Sequence, residues 1–129
     1  MAAGNAQKFT TVFLELVNDM CTGDGSAPAT YYVHMGTNGE LAVPGDIALA
    51  APSAEARAAC TESQPTTVTW QEAGANITSL SDQTIAELGI FTSLASTILV
   101  ARRSYATGFP ILTNDLVQIT FVGTTAQAA

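Results

Sequence analysis

Eleven carboxylates, one histidine, two cysteines and four basic side chains are the groups in this chain that could do chemistry. A carboxylate pair works as acid and base only when two of them meet in space. Asp24, Glu40, Asp46, Glu55, Glu62 and Asp82 all lie in breaker-rich or loop-like stretches, where a solvated surface position is the expectation. His34 stands alone in Thr30-Tyr-Tyr-Val-His-Met35 with no acid nearby, as a packed or half-exposed structural residue does. Cys21 and Cys60 have no histidine or further cysteine at metal-ligand spacing, so they read as reduced thiols, although they could pair. Asp24 and Asp82 are single oxygen donors outside any calcium-loop spacing. There is no nucleophile elbow, no phosphate-cradling glycine loop and no paired-histidine zinc motif. The triplet Asn76-Ile-Thr78 matches a glycosylation sequon, which has meaning only on a secretory route. The expectation is a non-enzymatic protein with no metal and no cofactor.

Glu87 and Arg102 are the most informative charges. They fall in two successive strand-like segments, and a hairpin pairing Phe91 with Ile98 sets them directly opposite one another. Opposite charges there contribute roughly 0.2–1 kcal/mol and fix the register. The alternative is a bridge from Arg102 or Arg103 to an acidic partner. Arg103 points to the other face and is a candidate contact residue.

The elements that must position these groups follow from periodicity. From Asn5 to Met20, the residues Phe9, Val12, Phe13, Leu16, Val17 and Met20 form the one-sided stripe of an amphipathic helix. Asn5 is the expected cap and Gly23 the expected stop. That stripe either covers the domain's own sheet or docks on a neighbour. Strands are expected at 30–35, at Thr66 to Gln71 with Val68 and Trp70 on one face, at Thr84 to Phe91, at Thr97 to Tyr105 and at Leu116 to Val122. In the last, Val117, Ile119 and Phe121 face one way and Gln118 and Thr120 the other. Residues 37–52 read as loop, and Ser53 to Cys60 as a short helix capped by Ser53 or an Ala-rich strand. Gly108 to Pro110 is read as a breaker. The fold class is mainly β, an antiparallel β-sandwich with an N-terminal amphipathic α-helix: residues 1–22 are the helix and 23–129 the sandwich body of one domain.

Composition narrows the partners. Charged residues make up 12% of the chain, about half the usual ~25%. Such a surface suits a protein packed against neighbours. The net charge is −7, and only Arg102 and Arg103 are adjacent basic residues. Counterion release from phosphates needs clustered cations, so neither nucleic acid nor an anionic membrane is an expected partner. The first residues lack the continuous apolar run of a targeting segment, and a soluble product of the cytoplasm is expected.

The segments Ile85-Ala-Glu-Leu-Gly-Ile-Phe91, Leu99-Val-Ala-Arg102, Asn114-Asp115 and Val117-Gln-Ile-Thr-Phe121, with the turn Gly36-Thr-Asn-Gly39 and Arg57 upstream, carry a resemblance. Together they resemble small virion structural proteins of tailed bacteriophages, and the match spans about Tyr31 to Phe121. The resemblance implies a capsid decoration, or cement, protein that binds the outer shell and bridges capsomers. Its partners would be the phage major capsid protein and further copies of itself, as a dimer or trimer. Its place would be the virion, after synthesis in the host cytoplasm. The contact residues would be Phe9, Val12, Phe13, Leu16, Val17, Met20 and Arg103. A neck, baseplate or fibre-base module is the alternative within the same resemblance, and it usually carries an extension for receptor-binding parts. A reading of another class is a carbohydrate-binding sandwich with Trp70, Tyr31, Tyr32 and Tyr105 as an aromatic platform.

Overall fold

The computed structural model describes residues 6–23, 30–63, 69–94 and 98–124. Eight strands and one helix follow in the order β1 (Ala6–Phe9), α1 (Thr11–Thr22), β2 (Tyr32–Gly36), β3 (Ala58–Ala59), β4 (Thr61–Ser63), β5 (Thr69–Thr78), β6 (Gln83–Phe91), β7 (Leu99–Ile111) and β8 (Leu116–Thr124). They form a five-stranded sheet in the order β1-β7-β6-β2-β3 and a three-stranded sheet in the order β4-β5-β8. Every pairing within them is antiparallel. The expected antiparallel β-sandwich with one N-terminal helix is the architecture found.

The core follows from the period-2 pattern of the strands. Val33, Met35, Ile85, Ile90 and Val100 from the larger sheet meet Ala73, Ile77, Val117, Ile119 and Phe121 from the smaller one. In β8 the split is as the alternation requires, with Val117, Ile119 and Phe121 buried and Gln118 and Thr120 exposed. A second, smaller cluster of Leu49, Phe91 and Leu99 packs part of residues 37–52 onto the sheet.

The helix begins later than the stripe alone predicts. Its N-cap is Thr10, in extended conformation, whose hydroxyl accepts from the Phe13 N–H at 3.2 Å and donates to the Leu99 carbonyl. Residues 6–9 pair with β7 instead, from Ala6 opposite Ser104 to Phe9 opposite Ala101. A backbone ladder satisfies those four residues better than a frayed first helical turn, and a threonine hydroxyl is a strong cap. The expected cap Asn5 and the expected helical start at 5–9 are therefore corrected. Asn5 itself lies outside the described residues. Gly23 ends the helix as anticipated, at φ 86°, with its N–H donating to the Asp19 and Met20 carbonyls.

Three further strand expectations shift. β5 runs on to Thr78, because β8 pairs with it along its length. Expected strand residues 66–68, including Val68, lie outside the described residues, as does the Trp70 side chain. β7 continues through Gly108, Phe109 and Pro110 rather than breaking there. Its ladder with β6 passes from Ile85–Phe109 to Glu87–Ser104, leaving an excursion at residues 105–108 in which Gly108 adopts φ 69°. Beyond Ser104 no described strand pairs with the far side of β7, so Pro110 removes no described ladder bond there. Residues 53–57 are irregular with a bend at 54–55, and only Ala58–Ala59 are strand, so the short helix capped by Ser53 does not form.

Candidate functional site

The outward face of the larger sheet carries a buried ionic cluster. Glu87 on β6 is fully buried and Arg102 on β7 nearly so. The Arg102 Nε donates to Glu87 Oε1 at 2.9 Å. They are not directly opposite, as the simple hairpin register requires. Phe91 pairs with Leu99 rather than with Ile98, and the ladder slips by one more residue between Phe91 and Ile90, so Glu87 pairs with Ser104 and Arg102 with Gly89. The two long side chains meet on the diagonal of one sheet face, within reach of each other. Burial changes the energetics as well, since two desolvated charges persist only when all their hydrogen-bonding groups are met.

Residues 37–52 supply those partners. Glu87 Oε1 accepts from the Ala50 N–H at 2.8 Å, and Oε2 from Ala51 at 2.7 Å and Asn38 at 3.3 Å. Arg102 Nη1 donates to the Glu40 carbonyl at 3.0 Å and to Asp46 Oδ2 at 3.4 Å, and Nη2 to the Asn38 carbonyl at 3.2 Å. The segment is tied down at both ends, Thr37 N–H to Ala51 O and Ser53 N–H to Met35 O, both at 2.9 Å. Gly36 faces the cluster so closely that a Cβ there would lie 2.5 Å from the Ala51 carbonyl and 2.7 Å from Glu87. Backbone rather than a flexible tip occupies that space, so a side chain cannot enter. The ion pair thus acts as a staple that fixes a long loop against the sheet.

The stapled loop has two sides. Ala42 and Leu49 are buried against the sheet, while Leu41, Val43 and Ile47 are 41%, 46% and 64% exposed. Asp46 closes the turn, accepting from the Val43 N–H at 3.0 Å and donating its own N–H to the Val43 carbonyl at 3.1 Å. The Thr11 N–H donates to the Pro44 carbonyl at 2.7 Å, which brings the start of α1 beside this turn. One helical turn on from Thr11, Leu14 is 50% exposed. Four aliphatic side chains are held outward on a backbone whose conformation is already paid for by internal bonds. Exposed apolar groups on a fixed backbone are the usual makings of a protein contact.

The expected contact residues are placed differently. Phe13 is buried in the core, and Leu16 and Val17 pack against it. Val12 and Met20 are half-buried. Phe9 is on β1 rather than the helix, and its ring stacks on Phe13 at 5.8 Å. The helical stripe thus packs in part on its own domain, through Phe13, Leu16 and Val17, while Phe9 stays 36% exposed. Arg103 sits over the Tyr105 ring at 5.2 Å, and Tyr105 meets Phe109 edge to face at 5.7 Å. Tyr31 is buried with the core, Tyr32 points to the opposite face of β2, and Tyr105 is on another strand, so these tyrosines do not form one platform. The sequence missed Leu41, Val43 and Ile47. The signal was present as three large aliphatics in a stretch too rich in breakers to bury them all.

Other residues expected at the surface have structural work. Glu55 is 4% exposed, and its Oε2 accepts from the Leu80 N–H at 2.7 Å and the Gln83 amide at 2.9 Å. His34 Nε2 donates to the Glu55 carbonyl at 2.7 Å. Glu62 Oε1 accepts from the Tyr31 N–H at 2.7 Å. Arg57 lies 3.6 Å above the Phe91 ring and donates to the Ser93 carbonyl at 2.9 Å. Cys21 is exposed and Cys60 buried, both as free thiols; burial, with the nearby Glu62 charge, pushes the Cys60 thiol up to about 11. Among the described residues, no three His, Cys, Asp or Glu side chains are grouped to hold a metal ion. No described helix is long and apolar enough to cross a membrane.

Two of these carboxylates make stability depend on pH. Burial works against the charge of Glu55, but the neighbouring Ser53 hydroxyl, the Leu80 and own backbone N–H groups and the Gln83 amide outweigh it and hold the carboxyl below its ordinary 4.5. The Thr113 N–H and hydroxyl lower the exposed Asp82 in the same direction. A lowered value in the fold means stability that is full above the ordinary carboxylate range and is lost as pH falls through the folded value. The melting temperature should therefore fall between about pH 5 and pH 3. Glu55→Gln should flatten that slope, and an unchanged slope in circular dichroism melts of the variant refutes the assignment.

No protein-family model matches the chain, and no curated protein or solved structure matches it either.

Proposed function

We propose that this protein is a non-enzymatic structural component of a tailed-bacteriophage virion, acting as a decoration protein that bridges capsomers on the outer shell. The observation that carries this reading is the stapled loop, which holds Leu41, Val43 and Ile47 exposed on a fixed backbone that the start of α1 meets at Pro44. Such a surface has little ordering entropy left to lose when it docks. Burying one aliphatic side chain contributes about 1.5–3 kcal/mol, and many copies on one shell multiply a modest single contact. The low charge of the chain and the segments resembling phage virion proteins support the same reading.

The test is the copy number in purified virions, with binding of the free protein to shells stripped of it. Hundreds of copies per particle are expected. Ile47→Asp should lower shell occupancy at least tenfold while leaving the melting temperature within a few degrees, since Ile47 is 64% exposed. A dozen copies or fewer would replace this reading with a neck, baseplate or fibre-base part. Full occupancy by Ile47→Asp would remove the loop as the docking surface.

A further inference from the structure

The smaller sheet carries a hollow of about 490 Å³ on the face turned away from the core. Its position follows from the pleat. Ala73, Ile77, Val117 and Ile119 point inward, so Gly74, Asn76, Gln118 and Thr120 point out. The strand register then sets the outward residues in two rows. Thr61, Gly74 and Thr120 lie abreast across β4, β5 and β8, and Asn76 stands opposite Gln118 in the next row. At ~4.8 Å between strands and ~3.4 Å per residue, the two threonines are ~9.6 Å apart and the rows ~6.8 Å apart.

Gly74 makes the hollow. It has no side chain between the two threonines, and a Cβ there would lie 3.0 Å from Thr120 Oγ1 and 3.2 Å from the Ile119 carbonyl. Ala59 adds a second small residue to the lining. The middle of the surface is therefore low, and around it stand two hydroxyls and two carboxamides, from Thr61, Thr120, Asn76 and Gln118. All four residues are exposed, and none of the four side chains hydrogen-bonds to a described residue. The lining holds no charged side chain.

We propose that this hollow binds a neutral sugar. Each of the four polar groups both donates and accepts, and sugar hydroxyls do the same. Other ligand classes fit the lining less well. A phosphate or carboxylate would meet no cation there, on a chain whose net charge is already −7. A metal or ammonium ion would meet no carboxylate. An apolar molecule would cover four polar groups and leave them without water or a partner. The volume lies within the ~300–1,000 Å³ of small-molecule sites. This surface is separate from Tyr31, Tyr32 and Tyr105, and the inference stands independently of the virion reading. Neutral hydrogen bonds made at an open surface replace bonds to water, so binding in the millimolar range is expected.

Titration of the nitrogen-15-labelled full chain with maltose, cellobiose, lactose and diacetylchitobiose tests it. At least one of these disaccharides should shift the backbone amides of residues 61, 74, 76, 118 and 120 together, with the side-chain amides of Asn76 and Gln118. The response should saturate, while the amides of β2 and β6 stay in place. Sodium phosphate at equal concentration should leave all of them unmoved. Asn76→Ala with Gln118→Ala removes both carboxamides at exposed positions. It should weaken the sugar's binding about tenfold and leave the melting temperature within a few degrees. No saturable shift at these residues with any of the four sugars would overturn the proposal. So would equal affinity in the double variant, or a phosphate response as large as the sugar's.

Discussion

Glu87→Leu or Arg102→Met is expected to cost about 3–5 kcal/mol, the penalty of leaving a buried charge without its partner. For a domain of this size that lowers the melting temperature by roughly 10–20 °C. Buried ion pairs elsewhere can often be replaced by two apolar side chains at no loss. Here the double variant should recover only part of the stability. The N–H groups of Ala50 and Ala51 end on Glu87, and the carbonyls of Asn38 and Glu40 on Arg102. An apolar pair would leave those part-buried backbone groups without partners, at up to about 1–3 kcal/mol each. Exchanging the two charges should fail for the same reason, because donors would then face a guanidinium and carbonyls a carboxylate. Chemical denaturation of the two single variants, the apolar double and the exchanged double measures this directly. Full recovery in either double variant would show that the pair holds only itself and not residues 37–52.

Phe13→Ala should be comparably severe, at about 3–5 kcal/mol for a buried aromatic. Phe13 is 3% exposed, lies in the main core and receives the stacked Phe9 ring. Its neighbour in sequence supplies the control. Leu14 is 50% exposed, and Leu14→Ala should change stability by no more than about 0.5 kcal/mol. If α1 served only to reach a neighbouring molecule, both substitutions would be silent in the isolated protein. Denaturation of the two variants side by side separates those cases.

What could be read from the sequence was local and repetitive. The alternation of Val117, Ile119 and Phe121 against Gln118 and Thr120 gives β8 its faces, and Gly23 stops α1 because few other residues accept a positive φ. The start of α1 was ambiguous because Phe9 falls both at helical spacing from Val12 and Phe13 and at the end of a short strand. Only the pairing of residues 6–9 with β7 decides between them, and that partner is remote in sequence. The acidic residues show the same limit. Glu55, Glu62 and Glu87 look alike as carboxylates among turns or strands. Which of them is buried depends on N–H groups brought from Leu80, Tyr31 and Ala51 by the finished fold. Glu87 and Arg102 could be matched as opposite charges on adjoining strands. Their register could not, since the slip near Phe91 and the excursion at 105–108 leave no mark beyond Gly108.

The pairing of β1 with β7 also sets an order of events during synthesis. β1 and α1 leave the ribosome early, yet β1 has no ladder partner and Thr10 no Leu99 carbonyl until nearly the whole chain has followed. The stapled loop waits in the same way for Glu87 and Arg102. Contacts so distant along the chain must meet the entropy of loop closure before they return any stability, and such topologies fold slowly. Until β7 emerges, the apolar stripe of α1 is exposed in a nascent chain that cannot yet cover it. These two elements, β1 and α1, are thus secured only after strands that follow them in the chain, and they are the part most in need of shielding by chaperones or by rapid elongation.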